Sequence, residues 1–247
     1  YNVSDMKIIT VIGSGLIGRS WAMLFVSGGY NVKIYDNQPG QSTKAITEIK
    51  KQLVELEEAH MLRGELSAAQ QLALLSSYDD LSQALDGAFF VQECVFEQLE
   101  VKQSIFHDME RFVGKDVILS SSTSCLVPSK VFSKVQNRSR CLVSHPVNPP
   151  YYTAAAVMDT THALMTKVGQ APVLLKKEID GFALNRVQAA IIAESWRLVQ
   201  VSVFWACGWG VVLRSQFFKA LPTSSKVSHE YAFITFVFKC KKMLINI

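Results

Sequence analysis

The sequence predicts an α/β fold: a doubly wound parallel sheet followed by a truncated helical C-terminal segment. Three observations carry this. Short apolar runs rich in β-branched residues alternate with longer stretches of helical spacing from Ile8 to about Ile179, the pattern of βαβ units around a buried parallel sheet. The first run opens into a glycine-rich turn, Gly13-Ser14-Gly15-Leu16-Ile17-Gly18. A strongly helical stretch runs from Asp180 to Gln200, and the chain changes character after it. The expected division is residues 1–179 as the sheet domain and 180–247 as a helical remnant, with a divergent tail from about residue 201.

Taken in order, Ile8 to Ile12 reads as a buried strand. Leu16 to Ser27 has helical spacing, with apolar residues at Leu16, Ile17, Trp21, Met23, Leu24 and Phe25, and Gly28-Gly29 stops it. Asn31 to Tyr35 is the second strand and ends in Asp36. Gln41 to Arg63 is a long charged helix whose inner stripe is Ile46, Ile49, Leu53 and Leu56; its charges form a solvated face. Ala73 to Ser76 is a strand candidate, and Asp79 to Leu85 a short helix with an acidic first turn. Ala88 to Gln92 is a strand, Glu93 to Glu97 a connection, and Glu97 to Phe112 a helix spaced by Leu99, Ile105, Phe106 and Met109. Asp116 to Leu119 is another buried strand, running into Ser120-Ser121-Ser122-Thr123-Ser124. Arg140 to Ser144 is a further strand, followed by His145-Pro146-Val147-Asn148-Pro149-Pro150. Val168 to Leu175 is apolar and strand-like.

The opening unit, Lys7 to Asp36, has each part that binding of a dinucleotide requires. Gly13 allows the tight turn out of the strand. Gly15 removes a side chain where a pyrophosphate must approach the backbone, and Gly18 lets the helix pack closely on the strands. Free N–H groups around Leu16 and Ile17 face the phosphates, and the helix dipole favours their negative charge. Asp36 lies 18 residues past Gly18, at the tip of the second strand, where a carboxylate accepts hydrogen bonds from the adenosine ribose and repels a 2′-phosphate. The expected cofactor is therefore NAD rather than NADP, on a Rossmann-type sheet.

Composition narrows the rest. Hydrophobic residues make up 49% of the 247 and the net charge is +4, so a core is available. Lys and Arg are scattered apart from Lys239 to Lys242, which gives no nucleic-acid face. Tyr1 to Lys7 carries no apolar leader region, and Val201 to Leu213 is too short to span a bilayer, so no membrane partner is expected. Five cysteines without C-x-x-C or paired spacing suit reduced thiols in a cytoplasmic protein, with no zinc or other metal site. The serine run sits at a strand's carboxyl end, where open parallel sheets bind ligands; taken alone, these residues read as an ordinary loop. His145, between a strand end and a proline-stiffened turn, is placed for acid–base work, or is a hydrogen-bonded structural histidine.

Taken together, G-S-G-x-I-G, E-x-x-x-E-x-L-x-x-K, S-x-S-T-S, H-P-x-N-P-P and D-G-F-x-x-N-R, in this order over roughly the first 200 residues, resemble the 3-hydroxyacyl-CoA dehydrogenase family. The resemblance implies NAD-dependent oxidation of the 3-hydroxyl of a small hydroxy acid, with L-gulonate to 3-dehydro-L-gulonate as the reaction. It implies His145 as general base, Ser124 as the serine that hydrogen-bonds substrate and histidine, and Asn185 as the asparagine that binds the reacting oxygen. Glu97 and Lys102 are implied to line the nicotinamide half of the cofactor site, with Asn148 beside the nicotinamide. Neutral imidazole, with an ordinary pKa of about 6.5, suits removal of a hydroxyl proton near neutral pH. A family homodimer is implied as well.

Two departures from that pattern stand out. Twelve residues past the histidine the family carries a glutamate that orients the imidazole; here the position is Val157, and Thr153 to Met158 contains no acid, as though about ten residues were deleted. The next acid, Asp159, is expected as a helix N-cap. After Gln200 the family's acidic helical domain gives way to apolar, β-prone segments such as Val201 to Leu213 and Tyr231 to Phe238, which read as a foreign tail and are aggregation-prone. The dimer is therefore expected to be impaired. The rival expectation is a catalytically impaired NAD(H)-binding protein, a defective splice form that keeps the cofactor site.

Overall fold

The structure is a computed structural model, and it describes residues 7–144, 155–174 and 179–200. Six parallel strands, β1 (Ile8–Ile12), β2 (Asn31–Tyr35), β3 (Leu75–Tyr78), β4 (Ala88–Glu93), β5 (Ile118–Ser121) and β6 (Cys141–Val143), form one sheet in the order 3-2-1-4-5-6. The helices are α1 (Leu16–Ser27), α2 (Gln41–Glu58), α3 (Ala68–Ala73), α4 (Leu81–Leu85), α5 (Leu99–Glu110), α6 (Pro128–Val131), α7 (Ala155–Lys167) and α8 (Ala183–Gln200). This is the doubly wound Rossmann arrangement, with the strand order reversing between β1 and β4.

The strands are apolar on both faces because both are covered. Ile9, Val11, Phe90, Ile118 and Leu142 face the core beneath α1, α2, α3 and α7, packing on Ala22, Phe25, Val26, Ile49, Leu53, Leu164 and Met165. The alternate residues Ile12, Val91, Leu119, Cys141 and Val143 face the opposite core, under α5 and the α6 region, with Phe106, Met109, Val131 and Phe132. Burial pushes the Cys141 thiol up to about 12, with the Arg140 guanidinium pulling against it.

Several boundaries move from their sequence positions. The strand expected over Ala73 to Ser76 is present but lies two residues later, as β3. A Ser67–Gln70 capping box starts α3, which runs through Ala73, and the ladder with β2 pairs Leu75 to Tyr78 with Val32 to Tyr35. Being at the sheet edge, β3 tolerates its polar residues. The long helix ends at Glu58 instead of Arg63, because His60 takes a left-handed φ of 55° and the Met61 N–H closes back onto the Leu56 carbonyl at 2.8 Å. β5 begins at Ile118, since Val117 closes a turn onto Gly114, and it therefore includes Ser120 and Ser121, paired with Gln92 and Glu93. Residues 168–174, where the sequence suggests a strand, form a turn and irregular chain among the described residues. The first compact unit of the chain runs through Asn185 and the second takes residues 186–247. Among the described residues, no helix is long and apolar enough to cross a membrane, and no group of three His, Cys, Asp or Glu could hold a metal ion.

Candidate functional site

The crevice of such a sheet opens at the carboxyl ends of β1 and β4, where the connections leave toward opposite faces. The chain leaves β1 through Gly13, whose N–H donates to the Tyr35 carbonyl at 2.8 Å and whose φ is +97°. A Cβ there would also lie 2.7 Å from the Cys94 carbonyl oxygen, and a Cβ at Gly18 would lie 1.8 Å from the Gly13 carbonyl oxygen. Both glycines are thus required by protein packing. Gly15 is different: a Cβ there would meet nothing within 4 Å. It is also the N-cap of α1, which has no side-chain cap and no acid in its first turn. Leu16 and Ile17 follow it, 67% and 55% exposed. Uncapped N–H groups behind an open glycine, with the helix dipole aligned, suit an anionic pyrophosphate.

Asp36 lies across this turn at the end of β2. Its Oδ2 accepts from the Ser14 N–H at 2.9 Å and the Ser14 hydroxyl at 2.6 Å, and its Oδ1 accepts from the Gln38 N–H at 3.0 Å. Ser14, which sequence reasoning left without a role, thereby ties the carboxylate to the glycine turn. The residues present fit a dinucleotide with a free ribose 2′-hydroxyl.

On the other side of the crevice lies a buried ion cluster. Lys102, on α5, is 1% exposed, and Glu93, the last residue of β4, is 0% exposed. The Lys102 ammonium reaches Glu93 Oε1 at 2.7 Å, the Val95 carbonyl at 3.2 Å and Glu97 Oε2 at 3.3 Å. Those three contacts match its three donors. Glu93 Oε1 also accepts from the Val95 N–H at 2.7 Å, and its Oε2 faces the Ser121 hydroxyl at 2.5 Å. Burial pushes the Glu93 carboxyl above the ordinary range, against the pull of Lys102 and the donors from Ser121 and Val95.

Glu97 is the solvent-facing end of this cluster, with its side chain 36% exposed. Its Oε1 takes the Thr123 hydroxyl, the Ser124 N–H at 2.8 Å and the Cys125 N–H at 3.3 Å. Partial burial works against its charge, but Thr123, Lys102, Ser124 and Cys125 together hold its carboxyl below the ordinary range. Glu97 therefore gathers the loop after β5. The serine run accordingly splits in two: Ser120 and Ser121 are buried in the strand, while Ser124 is exposed in the loop. The Ser124 carbonyl accepts from the Asn185 side-chain amide at 2.9 Å, so two of the implied substrate residues, 61 positions apart, come together.

Glu93 and Thr123 stand in two of the motifs that carry the resemblance, but neither was assigned a role from the sequence. The available signal for Glu93 was an acid ending an otherwise apolar strand, where a charge needs a buried partner. His145 and Asn148 lie outside the described residues. Val157 is half-buried in α7 against the first core, and its carbonyl accepts from the Thr161 hydroxyl. Asp159 is not an N-cap: α7 begins at Ala155, which places Asp159 in the helix body, exposed.

Residues 8–179 match the family described as 3-hydroxyacyl-CoA dehydrogenase, NAD binding domain. The chain is 52% identical over 206 residues to the lambda-crystallin homolog of Mus musculus, covering 79% of this chain and 65% of the relative. It is 27% identical over 205 residues to an L-carnitine dehydrogenase of Oceanobacillus iheyensis, covering 78% of this chain and 65% of that protein. The chain thus spans a little under two thirds of the length of the curated relatives it matches. Among solved structures, the (S)-3-hydroxybutyryl-CoA dehydrogenase of Ralstonia eutropha shares the fold with a TM-score of 0.75 at 20% identity, over 85% of this chain and 78% of that one.

Proposed function

The chain belongs to the 3-hydroxyacyl-CoA dehydrogenase family, and from that membership we propose that it binds NAD(H) in preference to NADP(H) and oxidises the 3-hydroxyl of a small hydroxy acid, L-gulonate to 3-dehydro-L-gulonate. The observation that carries the cofactor reading is the open Gly15 at the uncapped start of α1, with Asp36 held beside it by Ser14. Gly13, Gly15, Leu16, Ile17, Gly18 and Asp36 would hold the adenosine and pyrophosphate half; Glu97, Lys102 and Asn148 belong to the nicotinamide half, where Lys102 acts through Glu97. When bound, NAD supplies the hydride acceptor. His145 takes the hydroxyl proton on an imidazole nitrogen, and Ser124 and Asn185 hold the substrate oxygen in line. The contact between Asn185 and Ser124 supports that pairing. The likeness to an L-carnitine dehydrogenase, whose named substrate is a free 3-hydroxy carboxylate, supports a free acid over an acyl-CoA.

Titration of NADH and NADPH, followed by cofactor fluorescence, tests the cofactor reading. NADH should bind well ahead of NADPH. In Asp36→Ala the NADH affinity should fall roughly tenfold, the scale of a charged hydrogen-bond acceptor, and the gap between the cofactors should close. Equal affinities in the unmodified chain would overturn it.

A second reading, an NAD(H)-binding, crystallin-like protein with little turnover, is favoured by one observation: Val157 sits half-buried in α7 where the family has its glutamate. Without that carboxylate the imidazolium formed on His145 lacks a counter-charge and an orienting partner. L-gulonate oxidation should then run at least about 10²-fold below that of an intact family enzyme, with NADH binding retained. Steady-state rates and NADH binding measured on one preparation separate the two readings, and a rate near the family's own would dismiss the second.

A further inference from the structure

We propose that Glu93 is a positioning residue whose buried charge leaves the Glu93–Lys102–Glu97 cluster net negative, and that the cluster thereby favours the oxidised over the reduced cofactor. This rests on the cofactor reading above. The two carboxylates share one ammonium, Lys102 Nζ standing 2.7 Å from Glu93 and 3.3 Å from Glu97. Glu93 is built as a carboxylate. Its Oε1 faces two obligatory donors, Lys102 Nζ and the Val95 N–H. Its Oε2 accepts from the Ser121 hydroxyl at 2.5 Å. Two negative charges and one positive leave a net charge of −1, and its solvent-facing end is Glu97.

The placement follows from topology. Asp36 ends β2, on one side of the switch point, while Glu93 ends β4 and its partner Ser121 ends β5, on the other. A dinucleotide lying across the crevice has its two nucleotide halves on these two sides. With Asp36 at the adenosine ribose, the nicotinamide half falls to the side of β4 and β5. The nicotinamide ring is cationic in NAD+ and neutral in NADH. A net negative cluster in a partly desolvated crevice therefore attracts one redox form and not the other. A cluster without Glu93, one ammonium against one carboxylate, would be neutral and indifferent. Glu93 is 0% exposed, so it acts on the crevice through the charge it adds to the cluster, whose solvent-facing end is Glu97.

The test is isothermal titration of the full 247-residue chain with NAD+ and with NADH, before and after Glu93→Gln. The ratio of NAD+ to NADH affinity should fall roughly fivefold, the scale of one partly screened unit charge. A purely structural role would weaken both cofactors together and leave the ratio where it was, and that result would overturn the proposal. Ser121→Ala, which loosens the same cluster without altering its charge, should leave the ratio unchanged; a fall equal to that of Glu93→Gln would also overturn it. Should Glu93→Gln fail to fold, Glu97→Gln removes the same unit of charge at the exposed end. A fall in the ratio there supports the net-charge account, and an unchanged ratio rejects it. If the unmodified chain binds neither cofactor, the cofactor reading fails first, by a result distinct from an unmoved ratio.

Discussion

Lys102→Met should destabilise the protein by about 3–5 kcal/mol, the cost of stranding a buried charge by removing its partner. Lys102 is 1% exposed and Glu93 is 0% exposed, so water cannot replace the ammonium. Methionine fills much the same volume, which leaves charge as the main change. The effect should also depend on pH in a known direction. Burial already raises the Glu93 carboxyl above its ordinary range, and losing Lys102 raises it further. A group whose folded-state pKa is raised supports stability below its unfolded pKa and loses that support as pH rises through the folded value. The variant should therefore be weakest at neutral and higher pH and recover part of its deficit on acidification, as Glu93 becomes neutral. Urea unfolding at pH 5 and pH 8 would show this. A deficit that is equal at both, or larger at pH 5, would mean that Glu93 is not the stranded charge.

Gly18→Ala should cost on the order of 3 kcal/mol, the upper part of the range for overpacking. Alanine is ordinarily better than glycine inside a helix by about 1 kcal/mol, so local propensity predicts the opposite sign. The contact decides. The added methyl would lie 1.8 Å from the Gly13 carbonyl oxygen and 3.4 Å from Val11, and a backbone carbonyl in a tight turn cannot swing away. Either α1 lifts off β1 or the turn opens. Gly15→Ala is the contrasting substitution. Its Cβ meets nothing within 4 Å, so stability should stay within about 0.5 kcal/mol of the parent, while NADH affinity should fall at least roughly tenfold because the methyl occupies the approach of the pyrophosphate. Thermal melts and NADH titrations on both variants separate a packing glycine from a binding glycine. Equal loss of stability in the two would refute the distinction.

This contrast bears on how the site works. Two of the three motif glycines are required by packing against their neighbours, and only the middle one, Gly15, is open. The other side of the crevice depends on a charge cluster. Glu97 collects the loop after β5, and its position depends on Lys102 and, behind it, on Glu93.

The sequence by itself determined the sheet, the glycine turn that opens it and its kinship. These are recorded locally: β-branched runs, the glycine turn and the acid at Asp36 lie within 30 residues, and their spacing specifies their geometry. Boundaries failed where a local signal competed with a distant one. Ala73 to Ser76 looked like a strand until the capping box at Ser67 claimed Ala73 for a helix and pairing with β2 selected Leu75 to Tyr78. Asp159 looked like a cap only because the start of α7 cannot be read from an alanine run. Tertiary structure alone decided that Ser120 and Ser121 are buried strand while Ser124 is exposed loop, that Lys102 faces inward, and that Ser124 meets Asn185 across 61 positions. The physical reason is the same in each case. A side chain's burial and charge partner are properties of the packed chain, because desolvation and Coulomb attraction depend on what surrounds a group in space, and sequence records only what precedes and follows it.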